Sequence, residues 1–282
     1  ERHGVERARL VATEACRVAA NGPEFIARVR DRFGLDIEIL EPEHEARLAV
    51  SGCASLVDQS ADYVLVFDIG GGSSEIIWLD LGRHGVRRKG GGGRIASDAA
   101  IVAWTSLPVG VVTLAERFDG RNVTKESFEQ MVGVVLDLLR PFEHRHGFKD
   151  RLQGRSAHFL GTSGTVTTIA GILLGLPRYD RNKVDGSWLH VPQILDVTQD
   201  LLGKSYDQRV AEPCIGRERA DLVLAGCAIL EAVLRMWPAQ RLRVADRGLR
   251  EGILTTLMLE DGVWRQNRRR RRGPRERTGW DR

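Results

Sequence analysis

The sequence predicts an α/β protein, and three observations carry that prediction. Residues 63–79 read YVLVFDIGGGSSEIIWL, an apolar run, a glycine loop and a second apolar run, which is the pattern of two strands joined by a hairpin. His158-Phe159-Leu160 leads into Gly161-Thr162-Ser163-Gly164 and then into an apolar segment of helical character. Elsewhere along the 282 residues, short β-like runs alternate with longer periodic stretches, as mixed sheets with covering helices require.

The elements follow in order. Arg7 to Val11 reads as a strand, and Glu14 to Arg32 as a helix that Asn21-Gly22-Pro23 breaks into two pieces. Asp36 to Leu40 is a strand and Glu43 to Ala54 a helix. The glycine hairpin comes next, then a basic loop from Gly82 to Ser97 with four consecutive glycines, and a returning strand at Ile101 to Thr105. Thr124 caps a long helix from Lys125 to about His144, with apolar residues at Met131, Val134, Val135, Leu138 and Leu139. A helix follows the second loop, then a surface segment from Asp180 to Trp188, and helices near Val191 to Leu202 and Arg219 to Trp237. Leu242 to Ala245 is the last strand and Leu249 to Leu259 the last helix, with Asp246 as its expected N-cap.

The chemistry of the first loop lies in what it lacks. Three glycines remove every Cβ, so backbone N–H groups can approach an anion, and Ser73 and Ser74 add hydroxyl donors. Asp68 and Glu75 place carboxylates at the two mouths of the loop, where a divalent cation or an attacking water needs them. No Lys follows, and Glu75 opens a strand rather than a helix, which excludes a P-loop or dinucleotide loop. A plain glycine-rich turn has the same local pattern. In the second loop, the first turn of a helix offers free N–H groups and a positive dipole end to a phosphate, although ordinary Ser/Thr capping looks alike.

Composition permits a chain with two cores, at 42% hydrophobic residues, and shows no apolar run of transmembrane length and no signal peptide. A cytoplasmic protein is expected. Cys16, Cys53, Cys214 and Cys227 lack metal spacing and read as reduced thiols, while His144 and His146 read as a solvated helix end. The formal charge of +4 is misleading. Residues 265–282 hold nine Arg against Glu276 and Asp281, a net of +7, so the body carries −3. That tail, with Arg268 to Arg272 in succession, is expected to be disordered and open to nonspecific polyanions.

Seven segments in order carry a resemblance: VATEACRVAANG, EHEARLAVSG, FDIGGGSSE, SLPVGVVTLAERF, FLGTSGTVTTIAG, GRERADLVLAG and VADRGLREGIL. They resemble the exopolyphosphatase/guanosine pentaphosphate phosphohydrolase (Ppx/GppA) family, from about Arg7 to Leu259. The resemblance implies an actin-like, sugar-kinase-like fold of two ribonuclease-H-like domains facing a cleft. It also implies that a strand, an Asp-x-Gly-Ser-Asn-Ser turn and further strands precede Glu1, so the chain reads as N-terminally truncated. Residues 1–52 are then a remnant of the first domain and 53–248 the second. Residues 249–264 form a helix packing back on the first, and 265–282 the Arg tail.

The implied reaction is hydrolysis of a terminal phosphoanhydride of inorganic polyphosphate or guanosine pentaphosphate. Phosphoryl transfer asks for positioning, charge neutralisation and a directed nucleophile. The resemblance makes Glu45 and Glu75 catalytic and gives Asp68 to Mg²⁺ or another divalent cation. It assigns phosphate contacts to Arg17, to Gly70, Gly71, Gly72, Ser73 and Ser74, and to Gly161, Thr162, Ser163 and Gly164. Where many members have a second acid beside the catalytic one, this chain has His44, read as a surface residue. Partners expected are the substrate itself and a second copy in a homodimer, with no membrane. Two other readings stand: a non-catalytic (p)ppGpp- or polyphosphate-binding regulator, and a small-molecule kinase of the same fold. Against the kinase, only Gly226 stands where an adenosine site needs several glycines.

Overall fold

A computed structural model describes residues 4–82 and 100–263. Leu10–Ala12 (β1) pairs in parallel with Ile37–Ile39 (β2) through the short helix Glu14–Val18 (α1) and the helix Gly22–Phe33 (α2). The break falls at Asn21, as the Asn-Gly-Pro run requires, and Gly34 ends α2 in the left-handed region at φ 64°. Pro42–Cys53 (α3) follows, with its proline in the first turn where no N–H is missed. The first strand is shorter than Arg7 to Val11.

The main sheet holds six strands: Tyr63–Ile69 (β3), Ser74–Asp80 (β4), Ile101–Leu107 (β5), Ala157–Thr162 (β6), Trp188–His190 (β7) and Arg241–Ala245 (β8). Their order is β5-β4-β3-β6-β8-β7, with β3, β6 and β8 parallel and the other pairings antiparallel. Both faces are covered, which is why β3 reads as an unbroken apolar run. Tyr63, Leu65, Phe67 and Ile69 face the larger core, with Trp78 stacked on Phe148 at 4.5 Å and set edge-on to Trp237 at 5.6 Å. Val64 and Val66 face the opposite side, with Ile77, Leu79, Leu160 and Ala245 against Ala46, Val50 and Cys53 of α3.

Helices Val111–Phe118 (α4), Lys125–His146 (α5), Phe148–Arg151 (α6), Gly164–Leu173 (α7), Arg181–Val184 (α8), Val191–Gly203 (α9), Tyr206–Val210 (α10), Val223–Met236 (α11) and Leu249–Glu260 (α12) complete the described elements. The Thr124 hydroxyl accepts the Ser127 N–H and caps α5, as expected. Residues 219–222 form a turn, so α11 starts later than its sequence pattern suggests. The segment from Asp180 contains α8 and runs into β7, so it is not a plain surface loop.

The ends of the described chain meet. A Cβ on Gly52 of α3 would fall on the Gly248 carbonyl oxygen, and one on Gly252 of α12 on the Leu48 carbonyl oxygen. Leu48, Leu40 and Ile253 fill the space beside this crossing. The strands near Val11 and Leu40 pair with each other. Cys53, Cys214 and Cys227 are buried free thiols, and Cys16 is a partly buried one. Arg83 to Ser97 of the basic loop, and the Arg tail, lie outside the described residues.

Candidate active site

Open α/β sheets place ligand sites beyond the carboxyl ends of their parallel strands. Here those ends are Asp68 of β3, Thr162 of β6 and Ala245 of β8, and a cavity of about 540 Å³ opens beside them. Register makes the arrangement tighter. Thr162 lies opposite Asp68, Asp68 opposite Glu75, and Glu75 opposite Ser106, so one row of polar residues crosses four strands. Residues in line across a sheet share a face. The row shares the face that α3 covers.

Four of the expected residues gather here. Glu75 is 4% exposed, and burial raises its pKa, with Glu45 adding to the rise and Arg17 opposing it. Two hydroxyls hold its charge: Ser73 and Ser106 both donate to Oε1, each at 2.8 Å. Burial, then Glu75, then Glu45 push Asp68 up to about 7. Glu45 on α3 receives Nη1 of Arg17 at 2.9 Å, and the same Nη1 donates to the Leu40 carbonyl at 2.5 Å. Arg17 is thus engaged through one nitrogen, which leaves the rest of its planar fork for an anion.

The glycine loop is fixed from behind. The carbonyls of Gly70 and Gly71 accept the N–H groups of Val111 and Val112 at 2.9 Å, so the first turn of α4 anchors the loop. Among the described residues, the N–H groups of Gly71 and Gly72 donate to no protein acceptor. The hydroxyls behave differently from expectation. Ser74 donates to the Val109 carbonyl and Ser73 to Glu75, so both are committed to the scaffold and are not spare donors for a phosphate. Glu14, at the start of α1, lays its carboxylate against the bare α-carbon of Gly72.

The second loop lines the cavity with Thr162, Ser163 and Gly164. Ser163 has φ 107°, rare for a residue with a Cβ, and its buried hydroxyl has no partner among the described residues. Gly161 sits within β6 and does not line the cavity. A Cβ there would press on the Phe67 ring, so packing accounts for this glycine. The Arg219 guanidinium lies over Gly164 and donates to the Thr168 hydroxyl at 3.4 Å.

Asp246 is not the N-cap of α12. The cap is Gly248, whose N–H donates to Glu251 Oε2 at 2.9 Å, while Asp246 accepts the Tyr179 hydroxyl at 2.5 Å at the cavity wall. That bond comes after burial among the causes that raise the Tyr179 pKa.

The donors suit a hard divalent cation. Asp68 lines the cavity as a carboxylate with no hydrogen-bond or ion-pair partner among the described residues, and its charge is costly there without a cation. No group of three His, Cys, Asp or Glu gathers as a closed metal cage among the described residues.

Sequence reading alone did not single out Ser106, Glu14, Tyr179 or Arg219. Register pairs Ser106 with Glu75 from 31 positions away, and nothing local marks it. For Arg219 a signal existed, a basic residue in GRERADLVLAG with no acid four positions away on a helix face.

The pattern of the Ppx/GppA phosphatase family matches residues 1–261. Among solved structures, the Aquifex aeolicus family member is 30% identical over 92% of this chain and 76% of its own, with a TM-score of 0.71. The Aquifex aeolicus PPX-GPPA enzyme is 30% identical over 90% and 77%, with a TM-score of 0.70. An exopolyphosphatase from Cytophaga hutchinsonii, at 24% identity over 91% and 76% with a TM-score of 0.74, shares the fold. The α/β fold expected from the sequence is therefore the fold of this chain, shared with that family. Among the described residues, no helix is long and apolar enough to cross a membrane.

Proposed function

The chain belongs to the Ppx/GppA phosphatase family, and from that premise we propose that it hydrolyses the terminal phosphoanhydride of inorganic polyphosphate. The observation that carries this reading is the polar row Thr162, Asp68, Glu75, Ser106 beside the glycine loop, with the Arg17–Glu45 pair acting on it. A buried carboxylate whose pKa is raised is suited to take a proton from water near neutral pH. Glu75 orients and deprotonates the attacking water, with Glu45 as the second acid. The N–H groups of Gly71 and Gly72 and the first turn of α7 receive phosphate oxygens. The free fork of Arg17 takes a further oxygen.

Asp68 would hold Mg²⁺ or a similar cation, whose charge would offset the negative charge of the phosphoryl oxygens. Its carboxyl, held near 7, must lose its proton to do so. Guanosine pentaphosphate is the second reading. Tyr179, Pro213, Cys214 and Ile215 give the cavity a wall with apolar surface that a nucleoside uses and a bare phosphate chain does not.

The test is release of orthophosphate from long-chain polyphosphate and from guanosine pentaphosphate, each with Mg²⁺ and with EDTA. Mg²⁺-dependent release from polyphosphate is expected. Release from neither substrate would defeat the assignment, and release from the nucleotide alone would select the second reading.

A further inference from the structure

Of the two carboxylate oxygens of Glu75, only one is held. The Ser73 and Ser106 hydroxyls both donate to Oε1 at 2.8 Å. A serine hydroxyl has one proton to give, so each donor is spent on this oxygen. Among the described residues Oε2 receives no hydrogen bond. We infer that Ser106 is a positioning residue of the reaction: with Ser73 it clamps Oε1 of Glu75 and thereby reserves Oε2 for the nucleophilic water.

The two donors come from differently supported places. Ser73 belongs to the glycine loop, two residues before Glu75. Ser106 stands on β5, directly opposite Glu75, in a register carried from Ser74–Leu107 to Trp78–Ala103. Its hydroxyl therefore has a fixed origin, set by the sheet and independent of ligand. A carboxylate at the end of a flexible side chain gains reactivity when its orientation is fixed before the substrate arrives. Packing alone does not explain a serine here, because the neighbours on its face of the sheet include Trp104 and Ile77, and an apolar residue would satisfy them.

The inference rests on Glu75 acting on water, and the experiment separates the two. Ser106→Ala, Ser106→Thr, Glu75→Gln and the double variant Ser106→Ala/Glu75→Gln are assayed on long-chain polyphosphate with Mg²⁺, and each melting temperature is measured. Loss of one hydrogen bond to a charged group is expected to lower kcat by about ten- to a hundredfold with KM unchanged. Ser106→Thr, which keeps the hydroxyl on a strand-favouring side chain, restores kcat to within about threefold. In the Glu75→Gln background, Ser106→Ala costs nothing further, since the two act as one unit. A parental kcat for Ser106→Ala, or an equal loss with and without Glu75, overturns the clamp and leaves Glu75 in place. Parental turnover by Glu75→Gln overturns both.

Discussion

Arg17 and Glu45 face each other at 2.9 Å, with both side chains mostly buried, although they come from different helices, α1 and α3, with α2 and β2 between them in the chain. An ion pair in that setting holds both groups in register beside a second acid, Glu75. It also joins the two roles assigned to them. An anion that draws on the Arg17 guanidinium weakens the charge that opposes the raised pKa of Glu75, so anion binding and the charge state of Glu75 are linked.

Glu45→Gln and Glu75→Gln are expected to lower phosphate release by roughly two to four orders of magnitude, the usual contribution of a general base. Arg17→Lys keeps the charge and loses the fork, so KM for polyphosphate should rise roughly tenfold with a smaller change in kcat. Steady-state assays with Mg²⁺ decide each, and a Glu variant with parental turnover removes that residue from the mechanism.

Glu14 sets a carboxylate against Gly72, where the loop otherwise presents bare backbone to an anion. Like charges compete for such a place. Glu14→Ala should therefore lower KM for polyphosphate by roughly threefold or more while kcat stays within a factor of about two. A raised KM would mean that the carboxylate assists binding instead of opposing it.

The α3–α12 crossing has no room for a methyl group. In Gly52→Ala the new Cβ meets the Gly248 carbonyl oxygen, which is backbone and cannot turn aside. The expected loss is about 1–3 kcal/mol, or a melting point lower by roughly 2–4 °C for each kcal/mol. Gly52→Ala should also lower activity, because α3 carries Glu45. Calorimetry and the phosphate assay on the same sample test both statements.

His158 predicts a stability that falls in mild acid. Its ring is buried against Trp188, Nδ1 accepts the Asp58 N–H at 2.9 Å, and Nε2 has no partner among the described residues. Burial lowers its pKa to about 4, with Arg243 and Arg241 adding to the effect and Asp58 opposing it. The unfolded chain takes a proton near the ordinary 6.5. Between those values it binds a proton that the folded chain excludes, so stability present above about 6.5 is lost as pH falls toward 4. The full loss is about 3 kcal/mol. Asp68 and Glu75, whose raised pKa values favour the folded state as pH falls, act in the opposite sense, so the test is the difference. Between pH 7.5 and 4.5, urea melts should show the parent losing more stability, or gaining less, than His158→Gln. Equal changes would acquit His158.

The local parts of this molecule were readable in advance, and the cross-strand parts were not. Asp68, Glu75 and the three glycines stand within one short stretch, so a strand–loop–strand reading already places them together. The Thr124 cap and the α2 break are likewise signals of a few adjacent residues. Ser106 becomes visible only when β5 is set in register with β4, which long-range packing decides. The hydroxyls of Ser73 and Ser74 look like phosphate donors until their acceptors are known. Asp246 departs from the cap expected of it for a different reason. Glycine serves as a helix cap as well as Asp does when Glu251 reaches back from the third helical position, and that spacing was present in the sequence.

The glycine crossing also gives the chain a clock. Glu45 sits on α3, near the beginning of the sequence, yet α3 is held on one side by the sheet and on the other by α12, near the end of the described residues. At a synthesis rate of about 5–20 residues per second, roughly 10–40 s separate the emergence of the two. Throughout that interval the nascent chain holds the glycine loop and its carboxylates without the second of the two surfaces that hold α3. Docking of α12 is therefore the step that closes α3, and Glu45 with it, into its final seat.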